Sequence, residues 1–314
     1  MKPEFKYLKN VFLHLTISTM LSILIPTYNY AIDQLVQTIW KQAESLSEPF
    51  EIIVLEDNSN DEETLQKNKS ITKLSNCHYY LNKENLGRTA SRNMLAKRAK
   101  YDWLLFLDAD VLPVSDTFIQ KYMANDLSKI KVAYGGVAYY NTPPEKDKML
   151  RYRYGMQREA KSVDERLKDP YSIISQNLLI DKRTFEAVNI EEKNAYGLDI
   201  LFSYNLKKRE IPVLHIDNPV YHLGLETAQV FLEKSLKSIE TTFYLEQQHL
   251  ISEDTRPVQK AFLKLKKYHA ISIFKNMVRR LEKSMVKNLT SKKPSLVQFD
   301  MYRLYHYIKL KANA

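Results

Sequence analysis

LLFLDADV, residues Leu104–Val111, decides how the rest of the chain is read: an unbroken apolar run stops at two aspartates separated by one alanine. A run of this kind suits a strand buried on both faces, and a parallel sheet covered by helices buries such strands. In open α/β sheets ligands gather beyond the carboxyl ends of the strands. Asp108 and Asp110 therefore stand where a binding edge is expected. Their oxygens suit Mg²⁺ or Mn²⁺, which take one or two carboxylates and fill their other positions with water and phosphate oxygens. The alternative is structural: an Asp-x-Asp that ends a strand and caps the next helix.

The same pattern recurs on both sides. Leu21–Ile25, Glu51–Leu55 and His78–Leu81 read as earlier strands, with helical periodicity over Ala31–Ser45, Glu62–Leu74 and Thr89–Lys100. Later strands are expected at Val132–Tyr140 and Ile173–Ile180, then a helix after Asp199 and a strand pair at Val213–Ile216 and Val220–His222. Polar residues follow the first strands: Pro26-Thr27-Tyr28-Asn29, Glu56-Asp57-Asn58-Ser59 and Asn82–Arg88. The expected fold is α/β, with a mostly parallel central sheet flanked by helices over residues 21–225. From Glu226 the pattern turns helical, so residues 226–314 read as a basic helical appendage.

Composition narrows the function. With 314 residues, 44% of them hydrophobic, the chain has ample material for a core, which excludes disorder for most of it. One cysteine, Cys77, makes no internal disulfide and no Cys/His zinc site, so the protein reads as cytosolic. The net charge of +10 calls for an anionic partner, and Lys and Arg crowd residues 256–314. Lys2, Lys6 and Lys9 before the apolar stretch Val11–Ile25 mimic a signal sequence. His14, Thr16, Ser18 and Thr19, and the lack of a small-residue cleavage site, argue against one, and the stretch is short for a membrane span. Residues 1–20 read as an N-terminal extension.

Seven segments in order carry a resemblance: SILIPTYN (Ser22–Asn29), IIVLEDNSND (Ile52–Asp61), ENLGRTASRN (Glu84–Asn93), LLFLDADV, QNLLIDKRTF (Gln176–Phe185), YGLDILFSYNL (Tyr196–Leu206) and YHLG (Tyr221–Gly224). The chain resembles the nucleotide-sugar transferases of glycosyltransferase family 2, which have the GT-A fold. The resemblance implies that Pro26, Thr27, Tyr28 and Asp57 contact the nucleoside, Asp57 accepting from a uracil-type N–H. Arg88 and Arg92, one helical turn apart, would reach the diphosphate, and Asp108 would join donor and metal. Asp110 and His222 complete the implied metal set with Asp108, and an imidazole ligand favours Mn²⁺ over Mg²⁺. Asp199 matches the general base that deprotonates the acceptor hydroxyl, in line with inversion. The family motif commonly reads Gly-x-Glu-Asp with a further acid, whereas Leu198 and Leu201 occupy the two acidic positions here.

Each assignment has a structural counterpart: a turn or cap before Glu62 for Asp57, a solvated helix face for the arginines, a helix N-cap for Asp199 and a core position for His222. Asn177 is a further expectation for the donor or acceptor pocket. The partners implied are a nucleotide-sugar, UDP-linked in the first reading, and a glycan or lipid-linked acceptor of surface polysaccharide synthesis. The basic C-terminal helices offer an anionic membrane surface as a further partner, consistent with a cytoplasmic protein peripheral on the inner face of the membrane. A sugar-phosphate nucleotidyltransferase also needs paired aspartates and a metal, but lacks here the Gly-rich phosphate loop after the first strand. A nucleic-acid-binding protein using the basic C-terminus is the third reading, and no nucleic acid is expected under the first. The sequence sets no oligomeric state.

Overall fold

The computed structural model describes residues 20–46, 48–189 and 195–313; the expected N-terminal extension, apart from Met20, lies outside them. The strands are β1 (Leu21–Thr27), β2 (Phe50–Glu56), β3 (Cys77–Leu81), β4 (Trp103–Leu107), β5 (Val111–Pro113), β6 (Val132–Tyr134), β7 (Val137–Ala138), β8 (Asn177–Asp181), β9 (Val213–His215) and β10 (Val220–His222). The helices of the same region are α1 (Asp33–Glu44), α2 (Glu62–Lys69), α3 (Arg88–Arg98), α4 (Phe118–Met123), α5 (Met149–Tyr154), α6 (Val163–Leu167), α7 (Lys182–Val188) and α8 (Asp199–Lys208). Four more helices follow: α9 (Ala228–Gln247), α10 (Pro257–Lys267), α11 (Ile271–Leu289) and α12 (Leu296–Ala312).

Seven strands form the main sheet in the order β3-β2-β1-β4-β8-β6-β9. The pairs β3·β2, β2·β1, β1·β4 and β6·β9 are parallel, and β8 runs antiparallel to both neighbours. Alternation along the strands explains the continuous apolar runs. Ile23, Ile25, Ile52, Val54, Leu105 and Leu107 pack with Leu35, Val36 and Ile39 of α1 on one face. Leu24, Ile53, Leu55, Leu104 and Phe106 pack with Leu95, Phe185 and Phe202 on the other.

Three expected elements differ. The strand expected over Val132–Tyr140 breaks at Gly135-Gly136, and β7 joins β10 and β5 in a second sheet of order β5-β10-β7. A Cβ at Gly135 would lie 2.3 Å from the Asn218 carbonyl oxygen, and Gly136 has φ +91°, a left-handed conformation that favours glycine. The expected pair β9 and β10 consequently falls in separate sheets. The strand expected from Ile173 begins at Asn177.

The last four helices are fastened to the α/β layers through α5. Leu150 shares a buried cluster with Phe231 and Leu232 of α9, Leu289 of α11 and Phe299 of α12. Arg158 makes a two-pronged ion pair with Asp300, at 2.9 and 2.6 Å. No helix among the described residues is long and apolar enough to cross a membrane.

Candidate active site

Loops after β1, β2 and β3 build one side of the candidate site. Asn29 donates its N–H to Ser59 Oγ at 2.6 Å and accepts from the Asn60 N–H at 3.2 Å, tying the first two loops together. Thr27 is buried and donates to the Tyr30 carbonyl at 3.1 Å, whereas Tyr28 presents its ring to solvent. Pro26 is half-buried. Asp57 is buried, and its Oδ1 accepts from Asn82 Nδ2 at 2.8 Å and the Leu86 N–H at 3.0 Å, its Oδ2 from the Gly87 N–H at 2.8 Å. These bonds cross to the loop before α3, and the cap position before Glu62 belongs to Asp61. Asp57 thereby anchors the N-terminus of α3, where Gly87 turns the chain at φ +81°.

That anchor sets Arg88 and Arg92 over the ends of β4 and β8. Arg92 Nη2 lies 2.7 Å from Asp108 Oδ1 and Nη1 lies 3.3 Å from Asp199 Oδ1. Arg88 spans the same two carboxylates from outside, 3.5 Å from Asp108 Oδ2 and 3.8 Å from Asp199 Oδ2. The Arg92 side chain is 5% exposed and that of Arg88 is 51% exposed, so one is a fixed strut and the other is free to meet a ligand. Ser175 completes the strut: its Oγ accepts from Arg92 Nη1 at 2.6 Å and donates to Asp199 Oδ1 at 2.8 Å, and its carbonyl accepts from Nη2 at 3.1 Å. Asp108 beside Arg88, with Asp199 adding to it, pushes the guanidinium pKa up. Burial opposes ionisation of Asp199, but Arg92 and Arg88 outweigh it and hold the carboxyl below its usual range.

Asp110 turns away from this cluster. Its Oδ2 lies 3.1 Å from His222 Nε2, and its carbonyl accepts from the Leu223 N–H at 2.8 Å. Burial works against its charge, but the His222 hydrogen bond and the Arg88 charge hold its pKa down. Gly224 leaves the room this requires, since a Cβ there would lie 2.0 Å from Asp110 Oδ2. Behind the imidazole, Arg151 Nη2 lies 3.4 Å from Nδ1 and 3.0 Å from Glu159 Oε2. A guanidinium only donates, so this contact assigns Nδ1 as acceptor and points the Nε2 proton at Asp110. Tyr139 donates to Glu159 and packs edge-on against the His222 ring.

Asp199 opens α8, so the helix dipole favours its negative charge. The N-cap position is Leu198, not Asp199. Leu198 and Leu201 are buried with Leu245 and Ile251, which belong to α9 and the loop beyond it. The two expected acids are leucines because this turn is a packing surface for the C-terminal helices. Gly197, at φ +97°, brings the chain close to α9, where a Cβ would meet Ser238 Oγ at 2.5 Å.

One expectation is corrected. Asn177 does not line a pocket: fully buried, it accepts from Tyr122 Oη at 2.7 Å and donates to the Gly136 and Asn218 carbonyls at 2.9 Å each. Its amide holds the break between β6 and β7. The site residues unforeseen in the sequence are Ser175, Arg151, Glu159 and Tyr139; only Ser175 had a signal, its position directly before Gln176-Asn177.

Asp110 Oδ2 and His222 Nε2 lie 3.1 Å apart and would hold a divalent cation only once the Nε2 proton between them is displaced, as cation binding to such ligands requires. Asp108, the third expected ligand, meets both arginines. Among the described residues no group of three or more His, Cys, Asp or Glu side chains converges to hold a metal, so further ligands would come from substrate or water.

A family model described as "Glycosyl transferase family 2" matches residues 22–185. An uncharacterized glycosyltransferase of Haemophilus influenzae is 35% identical over 93 residues, a match that spans 29% of each chain. The fold is similar to that of the mannosyltransferase PcManGT from Pyrobaculum calidifontis in complex with GDP-Man and Mn²⁺, with a TM-score of 0.52 and 13% identity, covering 90% of this chain and 85% of that one. S. aureus TarS 1–349 in complex with UDP-GlcNAc covers 94% of this chain and 92% of its own, with 15% identity and a TM-score of 0.45. The sheet is the mostly parallel, helix-flanked GT-A arrangement, and the family match spans more than half of the chain, with Asp57, Arg92, Asp108 and Asp110 inside it: the chain belongs to glycosyl transferase family 2.

Proposed function

We propose that the protein transfers a sugar, with inversion, from a nucleotide-sugar to a hydroxyl of a glycan or lipid-linked acceptor in surface polysaccharide synthesis. UDP-sugars are the leading donor class. The observation that carries this reading is the double bridge of Arg92 and Arg88 between Asp108 and Asp199. It joins a donor-side carboxylate on a strand end to an acceptor-side carboxylate on a helix N-terminus.

In this reading residues 21–225 form the catalytic unit and residues 226–314 a helical region packed against it. Pro26, Thr27 and Tyr28 receive the nucleoside, with the exposed Tyr28 ring available for stacking. Asp57 acts on the base with the lone-pair capacity left after its three internal bonds, and it holds the α3 N-terminus in place. Arg88, half exposed, exchanges its weak carboxylate contacts for diphosphate oxygens. Asp108, Asp110 and His222 would hold Mn²⁺ or Mg²⁺, with Asp108 also meeting the two arginines. The bound cation supplies neutralisation of charge developing on the leaving diphosphate. Asp199 accepts the acceptor hydroxyl proton as the new glycosidic bond forms and the bond to diphosphate breaks. The GDP-Man and Mn²⁺ bound to the similar mannosyltransferase support a nucleotide-sugar donor and a cation.

Thermal shift with a panel of UDP- and GDP-sugars, with and without Mn²⁺, tests donor binding, since a ligand of the native state raises apparent stability. A stabilising donor is expected. No shift with any donor would overturn the reading, and release of pyrophosphate in place of a nucleoside diphosphate would assign nucleotidyl transfer.

A further inference from the structure

The charge of the chain is segregated. Residues 256–314 hold fifteen Lys and Arg against two acids, Glu282 and Asp300, so this segment alone exceeds the net +10 of the whole. Few of these cations are neutralised locally. Among the described residues, Lys266, Arg280, Lys283 and Lys287 make no ion pair, and all four are exposed.

The same region exposes apolar surface. Ile273 is 74% exposed, Met277 40% and Leu281 46%, while Tyr268 at the α10–α11 corner is 65% exposed. Ile273, Met277 and Leu281 follow one another at intervals of four, forming one stripe along α11. Helical spacing puts Arg280 and Lys287 on the side of that stripe away from the core, with Lys283 beyond them. The opposite flank of α11 is occupied: Val278 and Met285 are buried against Tyr305 of α12.

The geometry points to α11 and the α10–α11 corner as an interfacial membrane anchor that docks on anionic lipid headgroups. Ile273, Met277, Leu281 and Tyr268 enter the interface, and Arg280, Lys283 and Lys287 meet the headgroups. One feature chooses lipid over nucleic acid. The apolar stripe lies beside the cationic one, and a polyphosphate backbone would leave it uncovered, whereas a bilayer interface satisfies both. No described helix is long and apolar enough to cross a membrane. The Arg158–Asp300 pair and the Leu150 cluster couple this face to the catalytic unit. Its use in reaching a lipid-linked acceptor rests on the proposed function, but docking itself does not.

The test is co-sedimentation of the full chain with phosphatidylcholine vesicles, with and without phosphatidylglycerol. Wild type should bind the anionic vesicles and lose them as salt rises. The variant Arg280→Gln/Lys283→Gln/Lys287→Gln should bind about a hundredfold less tightly, each charge contributing about fivefold. Ile273→Ser/Met277→Ser/Leu281→Ser should also lose binding, and both should keep wild-type circular dichroism and donor turnover in solution. Wild type left in the supernatant with anionic vesicles, or apolar-variant binding equal to wild type, would overturn the proposal. So would a dimer that the serine variant dissociates, or tight duplex DNA binding that survives the serine changes. Loss of turnover in all proteins, wild type included, with vesicle binding intact would count against the enzymatic reading alone.

Discussion

Arg92 Nη2 lies 2.7 Å from Asp108 Oδ1 in a buried pair that crosses from α3 to the end of β4. The guanidinium also reaches Asp199 and two atoms of Ser175. Removing one member of a buried, hydrogen-bonded pair leaves the other charge without compensation, at about 3–5 kcal/mol. Arg92→Met should therefore lower unfolding stability by about that amount in urea denaturation, whereas Arg88→Met, at a half-exposed position, should change it by less than about 1 kcal/mol. Equal losses would contradict the division into strut and ligand arm.

Asp199 has its carboxyl pKa held below the usual range by Arg92 and Arg88, against burial. A depressed carboxyl contributes stability above the unfolded-state pKa of about 3.9, and this is lost as pH falls through the folded value. The stability difference between wild type and Asp199→Asn should be constant between about pH 5 and 8 and should narrow only in more acid solution. In kinetics the same substitution should cost about 10²- to 10⁴-fold in kcat with donor KM little changed.

The fold was legible where burial on two faces made strands continuous, as in Leu104–Leu107, and where polar loops followed those strands. It was illegible where a distant group acts. Nothing in Val132–Tyr140 shows that the Asn218 carbonyl fills the space beside Gly135. The aspartates of the site could be read locally because a short motif carries them. Ser175 meets Arg92 across 83 residues and Arg151 meets His222 across 71, so neither partnership leaves a local pattern.

Leu198 shows why restoring a family residue is not a repair. Its neighbours are Leu201, Leu245 and Ile251. Leu198→Glu would place a charge among them and remove apolar packing, which costs about 2–5 kcal/mol for comparable truncations. The variant should show a lower Tm and no gain in transfer. A gain at unchanged Tm would contradict the packing account of this turn.

Gly224 tests the cation pair with little disturbance of the core. A methyl group there would collide with Asp110 Oδ2. Gly224→Ala should weaken the Mn²⁺ dependence of donor binding by about tenfold or more, as loss of ligand orientation does in other metal sites. Isothermal titration with Mn²⁺ and donor checks this, with circular dichroism reporting an intact fold.

We propose that a cation at the edge formed by Asp110 and His222 assists cleavage of the nucleotide-sugar. Its most direct measurement is nucleoside diphosphate release from UDP- and GDP-sugars by wild type and Asp110→Asn, with Mn²⁺ and with chelator. Mn²⁺ should stimulate release by wild type, and the variant should lose at least about a hundredfold of it. Release by Asp110→Asn equal to wild type, with the same response to Mn²⁺, would contradict it.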